Sequence, residues 1–285
     1  MVGDYTENSL VEQPAIALFS ELGWEAANCF YESFNDSPSP LSSPKGRGKD
    51  IGRETPYYVV LEPKLRVALR RLNPGLADEA INFAVEELTK DRSLMSPAQA
   101  NREVYKLLKE GIRVDLSSTL TSDPSPTGRG EDVVRVRVID WDNPGNNDFF
   151  LASQLWISGD MYKRRADLVG FVNGIPLVFI ELKAFHKNLE DAFQDNLRDY
   201  KTTIPQVFWY NALVILSNGS DSRIGTITAG EKKGREPFLR LRQLRRTNHP
   251  RQGQPRHLPA QRGNPRRVGQ SARSRRIGPG NRRRP

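Results

Sequence analysis

Residues 165–185 read RADLVGFVNGIPLVFIELKAF, an almost uninterrupted apolar hairpin that turns at Asn173-Gly174 and ends in Glu181 and Lys183. An acid and a lysine two residues apart on a strand point to the same face. Burying a bare charge costs several kcal/mol or more, so this end of the hairpin is either wet or holds a partner such as a metal. A strict two-residue turn pairs Val172 with Ile175, which sets Asp167 against Ile180 and on the face opposite Glu181. A three-residue loop with a bulge pairs Val172 with Pro176 and puts Asp167 directly across from Glu181. A metal site therefore predicts the bulged loop or an equivalent distortion. Pro176 has no N–H to give, so its nitrogen must face a bulge or an edge.

Working outward, residues 9–22 have a helical pattern, with Pro14 near the start and Gly23 past the end. Three further helices are expected over 59–73, 76–91 and 96–111, the last capped by Ser96 with Pro97 at its first position. The period then shortens to that of strands in DVVRVRVIDW (132–141), NALVILSNG (211–219) and SRIGTIT (222–228), with a polar helix expected at 188–204. The fold class is α/β: a helical N-terminal region followed by a mixed sheet flanked by helices. Two Pro/Ser/Gly-rich stretches, near 35–56 and 121–132, each hold PSP followed by GRG and read as inserted surface loops.

The chain has 285 residues and a formal charge of +9, but that charge is unevenly placed. Sixteen of the 43 basic residues are Arg after position 234, where Glu236 is the single acid, so residues 1–234 hold 27 basic against 33 acidic residues. The body, 1–234, is mildly acidic. Residues 235–285 form an Arg/Pro-rich tail that lacks the apolar residues to fold and is expected to be disordered. Such a tail is either an electrostatic arm for nucleic acid or the product of a shifted reading frame. The lone Cys29 and three scattered histidines (His186, His249, His257) give no disulfide framework and no zinc spacing. No stretch reaches the roughly 18 apolar residues of a membrane span. A cytoplasmic location is expected.

Asp167, Glu181 and Lys183 are the residue types of a hard-cation hydrolytic site, in which carboxylates hold Mg²⁺ and an ammonium serves the attacking water. Glu-x-Lys alone is weak evidence, since Glu62-Pro63-Lys64 and Glu231-Lys232-Lys233 also contain it. More specific is the order of blocks: the hairpin, then DNLRDYKTTIPQVFWYNALVILSNG, then SRIGT. In that order they closely resemble the N-terminal nuclease domain of type I restriction enzyme R subunits, within the PD-(D/E)xK superfamily. The resemblance covers about residues 5–229. It implies a restriction-endonuclease-like sheet, a Mg²⁺ ion on Asp167 and Glu181, and Lys183 as the group serving the water. It further implies that Tyr200 and, in the place of a family glutamine, Asn196 hold DNA or assist cleavage. Ala166 stands where the family often has Pro.

The resemblance implies double-stranded DNA as substrate, methylation and specificity subunits as partners, and an ATP-driven motor in full-length members. No G-x-x-x-x-G-K-[ST] phosphate loop occurs in this chain, so no ATP site is expected in it, and the pattern reads as truncated or frame-shifted before the motor. Three roles stay open: a Mg²⁺-dependent endonuclease domain, a catalytically silent remnant, and a nucleic-acid binder acting through its basic tail.

Overall fold

Proline and glycine set the ends of the N-terminal helices. A π-helical turn, Asn8–Glu12, leads into α1 (Gln13–Glu21), whose Pro14 sits in the first turn, and Gly23 lets the chain reverse at φ +90° into β1 (Glu25–Asn28). Helices α2 (Glu62–Leu72), α3 (Asp78–Thr89) and α4 (Pro97–Glu110) follow. The last has a capping box: Ser96 Oγ accepts from the Gln99 backbone N–H while the Gln99 side chain accepts from that of Ser96. A short ribbon pairs β2 (Ile112–Asp115) with β3 (Val133–Val136), separate from the main sheet. Next come β4 (Phe149–Ser158), β5 (Lys163–Val172) and β6 (Ile175–Leu182), then α5 (Arg198–Thr203), β7 (Leu213–Ser217), β8 (Ser222–Gly225) and β9 (Leu239–Arg240).

This computed structural model describes residues 8–34, 49–115, 133–189, 196–228 and 238–240. Most of the first PSP/GRG loop, all of the second, part of the helix expected at 188–204 and the tail beyond residue 240 lie outside them. The α/β class is as expected, a seven-stranded mixed sheet in the order β1-β4-β5-β6-β7-β8-β9. Three of its elements differ from the sequence reading, and the first is β1, a strand not anticipated over Glu25–Asn28. The run FFLASQLWIS forms β4, a strand not anticipated, which pairs parallel to β1 and antiparallel to β5. Leu239–Arg240, within the segment assigned to the tail, extends the sheet beside β8; Phe238 is buried and Arg240 pairs with Asp221 at 2.8 Å.

The sheet is covered on both faces, which is why its central strands are nearly all apolar. The larger core cluster joins Leu61, Leu65 and Leu69 with Ile81, Leu88 and Val104 to Phe171, Phe179 and Phe208 of the sheet region. A smaller one packs Ala15, Ile16 and Phe19 onto Leu151, Leu168 and Ile180.

The register of the β5–β6 hairpin decides what the sheet presents. Asn173 (φ 51°) and Gly174 (φ 80°) make a two-residue turn that pairs Val172 with Ile175. On its own, that pairing would send Asp167 and Glu181 to opposite faces. A bulge then intervenes: Phe171 pairs with Pro176, but Gly170 pairs with Val178, leaving Leu177 as an extra residue. Leu177 stays satisfied because its carbonyl accepts from Ala212 N at 2.8 Å and from Asn211 Nδ2 at 3.3 Å. After the bulge Leu168 pairs with Ile180, so continuing the register places Asp167 opposite Glu181. The three-residue loop is not formed; the equivalent distortion that a metal site would require is present instead, downstream of the turn and next to the proline.

The turn itself is clamped. Asn173 is fully buried and donates to the Val138 carbonyl and Asn147 Oδ1, while its own Oδ1 accepts from Asp148 N. The Gly174 carbonyl accepts from Leu61 N at 2.8 Å. A Cβ on Gly174 would lie 2.5 Å from the Leu61 carbonyl oxygen, at a φ that side chains disfavour. Gly174→Ala is therefore expected to lower unfolding free energy by roughly 1–3 kcal/mol in urea titrations; a loss under about 0.5 kcal/mol would contradict this account of the turn.

Candidate active site at the end of the central hairpin

Asp167, Glu181, Lys183, Asn196 and Tyr200 line one open cleft of about 450 Å³, together with Trp156, Lys163, Arg164, Arg165 and Leu182. All five residues singled out in the sequence are thus brought together. β5 supplies Asp167, β6 supplies Glu181, and Lys183 follows at the end of β6, held by its N–H to the Ser217 carbonyl of β7 at 2.9 Å. Asn196 and Tyr200 come from the α5 segment, which Arg164 fastens to β5 through a two-pronged pair with Asp199 at 2.7 and 3.1 Å.

Glu181 is the centre of the arrangement. Its side chain is 2% exposed, so its charge needs partners. Oε1 accepts from Lys183 Nζ at 2.9 Å and from the Asn196 amide. Asparagine, one methylene shorter than the glutamine of the family pattern, still reaches the acid. The second oxygen, Oε2, is buried with no hydrogen-bond partner among the described residues. A charged oxygen left so in a core costs free energy unless something electropositive joins it. Across the hairpin, Asp167 Oδ2 accepts from Leu182 N at 2.8 Å, which ties the acid of β5 to the backbone beside Glu181.

Tyr200 is buried, edge-on to Phe179 at 5.4 Å between ring centres, and its hydroxyl donates to the Arg165 carbonyl at 3.3 Å. Burial, with the negative charges of Glu181 and Asp167 nearby and the Glu181 carboxylate within the hydroxyl's hydrogen-bonding reach, pushes its hydroxyl pKa far up. It remains a proton donor at any physiological pH. The donor set around Glu181 and Asp167 is all oxygen, which suits a hard divalent ion rather than zinc or copper. Among the described residues no third His, Cys, Asp or Glu joins them into a closed cage. An open site with two carboxylates is the usual form for Mg²⁺, which keeps waters and substrate phosphates as its other ligands.

Sequence reasoning missed the rest of the wall. Trp156 lies on the unanticipated β4, and the triplet Lys163-Arg164-Arg165 that opens the acid's own strand was the signal that could have pointed there. A separate cleft of about 650 Å³, lined by Tyr57, Tyr58 and Trp209 among others, shares no residue with this one.

Comparison with known proteins identifies the family. Residues 4–233 match the family described as type I restriction enzyme R protein N terminus. The type I restriction enzyme HindI endonuclease subunit of Haemophilus influenzae is 34% identical over 223 residues, covering 77% of this chain and 19% of that protein. The SsaAORF53P endonuclease subunit of Staphylococcus saprophyticus is 34% identical over 134 residues, covering 46% of this chain and 14% of its own length. The chain thus spans less than a fifth of the length of these relatives. No helix among the described residues is long and apolar enough to cross a membrane.

Removing the Tyr200 hydroxyl leaves the Arg165 carbonyl without that donor. Tyr200→Phe should cost about 1 kcal/mol in chemical unfolding with an unchanged denaturant slope. A variant as stable as the parent would mean the hydroxyl does not hold β5.

Proposed function

The chain belongs to the type I restriction enzyme R protein N-terminus family, and from that premise we propose that its cleft is a Mg²⁺-dependent site for hydrolysing DNA phosphodiester bonds. Asp167 and Glu181 would hold the ion, and Lys183 would serve the attacking water. One observation carries the reading: the buried Oε2 of Glu181, which has no hydrogen-bond partner among the described residues and lies beside a lysine, in register with a second acid.

When bound, the ion supplies a Lewis acid that polarises a phosphate oxygen and lowers the pKa of a water. The chain's own groups do the remaining work. Lys183 places its ammonium next to Glu181, where it can hold a water by hydrogen bond and offset the charge that grows on phosphorus oxygens. Asn196 and Lys183 both engage Oε1, which fixes the carboxylate and keeps Oε2 for the ion. Asp167 is pinned by the Leu182 amide, so the second acid is positioned before any ligand arrives. Tyr200, always protonated, locks the Arg165 carbonyl and with it the entry to the acid strand.

The substrate on this reading is double-stranded DNA. The working enzyme on this reading is a larger assembly with methylation and specificity subunits, in which the specificity subunit reads the target, and the ATP-consuming motor lies outside the part of the relatives that this chain matches. The relatives' names, endonuclease subunits of type I restriction enzymes, support this placement.

Incubated with supercoiled plasmid and Mg²⁺, the 285-residue chain should nick it, and EDTA should stop the reaction. Lys183→Ala and Asp167→Ala should each lower the rate by about a hundredfold or more, as loss of a charge-stabilising group does elsewhere. Equal nicking by parent and both variants, or none from a folded chain with any divalent ion, would overturn the proposal.

A further inference from the structure

β5 begins with three successive cations, Lys163, Arg164 and Arg165, and all three line the cleft that contains Asp167 and Glu181. Arg164 is already committed to Asp199. Lys163 and Arg165 are exposed and meet no carboxylate at ion-pair distance among the described residues; aromatic rings hold them instead. The Lys163 ammonium stands 5.0 Å from the centre of the Trp156 ring. The Arg165 guanidinium stands 5.4 Å from Phe30 and 5.7 Å from the same Trp156.

Ring stacking orients a cation without neutralising it. Two such cations, two residues apart on one strand, repel each other, and acids reach them only at a distance, as in the attraction between Lys163 and the buried Glu32. The rings beneath them are also fixed. Phe30 and Trp156 pack 6.2 Å apart, and the Trp156 carbonyl accepts from Arg53 Nη2 at 3.0 Å. Arg53 in turn forms a fully buried two-pronged pair with Glu32, close in the chain to Phe30. A buried ion pair thus anchors an aromatic platform, and the platform presents two charges whose only missing partner is an anion.

Spacing fits a polyanion laid along the strand. Four strand residues span about 13 Å, and each strand of B-DNA carries a phosphate every ~3.4 Å of axis. Lys163 and Arg165 therefore fall within reach of phosphates flanking one held at Asp167. We infer that Lys163 and Arg165 form a phosphate-binding track that leads the DNA backbone into the cleft, gripping it without regard to sequence. This inference rests on the proposed nuclease reading for the identity of the polyanion.

The test measures binding rather than cleavage. Anisotropy of a labelled DNA duplex of about three helical turns is titrated with the full chain in EDTA across a salt series, for the parent, Lys163→Ala, Arg165→Ala and Arg165→Lys. Each alanine variant should reduce the slope of log K against log salt by about 0.9, weakening duplexes of unrelated sequence alike. Arg165→Lys, which keeps the charge, should restore the slope even though it stacks less well. Lys163 is exposed, so its alanine variant keeps the test sound if Arg165→Ala unfolds. Unchanged slopes in both alanine variants, or a parent that binds no duplex, would overturn the track. A parent that nicks plasmid while the slopes stay unchanged sinks the track alone; reduced slopes in a chain that never cuts sink only the nuclease reading.

Discussion

The extra residue at Leu177 is the constraint on which the site depends. Side chains on a strand alternate with a period of two, so one inserted residue moves every later position to the other face. Without it, the tight Asn173-Gly174 turn would bury one acid and turn the other away. With it, Asp167 and Glu181 share a face at the open end of the hairpin. The bulge persists because its neighbours suit it. Pro176 has no N–H to lose, Gly170 opposite lets Trp24 approach where a Cβ would lie 2.9 Å from the ring, and the start of β7 takes up the Leu177 carbonyl. The cost of a broken ladder is thereby kept small.

Much of this could be seen in the sequence, and the limits are physical. The hairpin and its terminal acid and lysine follow from strand periodicity and turn chemistry, and a distortion follows once Asp167 and Glu181 are read as one site. The position of the bulge does not, because Leu177 is held by Asn211 and Ala212, more than thirty residues away. Local pattern alone could not choose between a longer loop and a later bulge. β4 escaped notice for another reason. FFLASQLWIS is a short apolar run without alternation, which serves a buried strand or a helix equally well. Gln154 also breaks it, with φ at 56° opposite Asp167, and the strand changes which residues it gives the core: Ala152 and Leu155, three apart, pack into the same cluster.

The site chemistry was legible as residue types and illegible as contacts. Asp167, Glu181 and Lys183 could be named from order and spacing, but that Glu181 Oε1 is held from two sides depends on a helix segment folding back over the sheet. The same fold-back brings the shorter amide of Asn196 to the acid. The aromatic platform was hidden for the same reason. Phe30, Arg53 and Trp156 are far apart in the chain and are brought together by the Phe30–Trp156 ring contact and by Arg53, which joins Glu32 to the Trp156 carbonyl. Burial lifts the Glu32 carboxyl above its ordinary range, with hydrogen bonds and charge from Arg53 opposing that shift. Breaking such a pair from one side leaves a bare charge in the core.

The central claim is that the bulged hairpin builds a divalent-cation site from Asp167 and Glu181. Anomalous diffraction from crystals grown with Mn²⁺ addresses it most directly, because the ion reports its own position. The account predicts one strong peak bonded to carboxylate oxygens of both residues, with Glu181 Oε2 among the ligands, and its loss in Asp167→Asn crystals. A peak elsewhere, or a well-ordered hairpin with no ion between the two acids at high Mn²⁺, would contradict it.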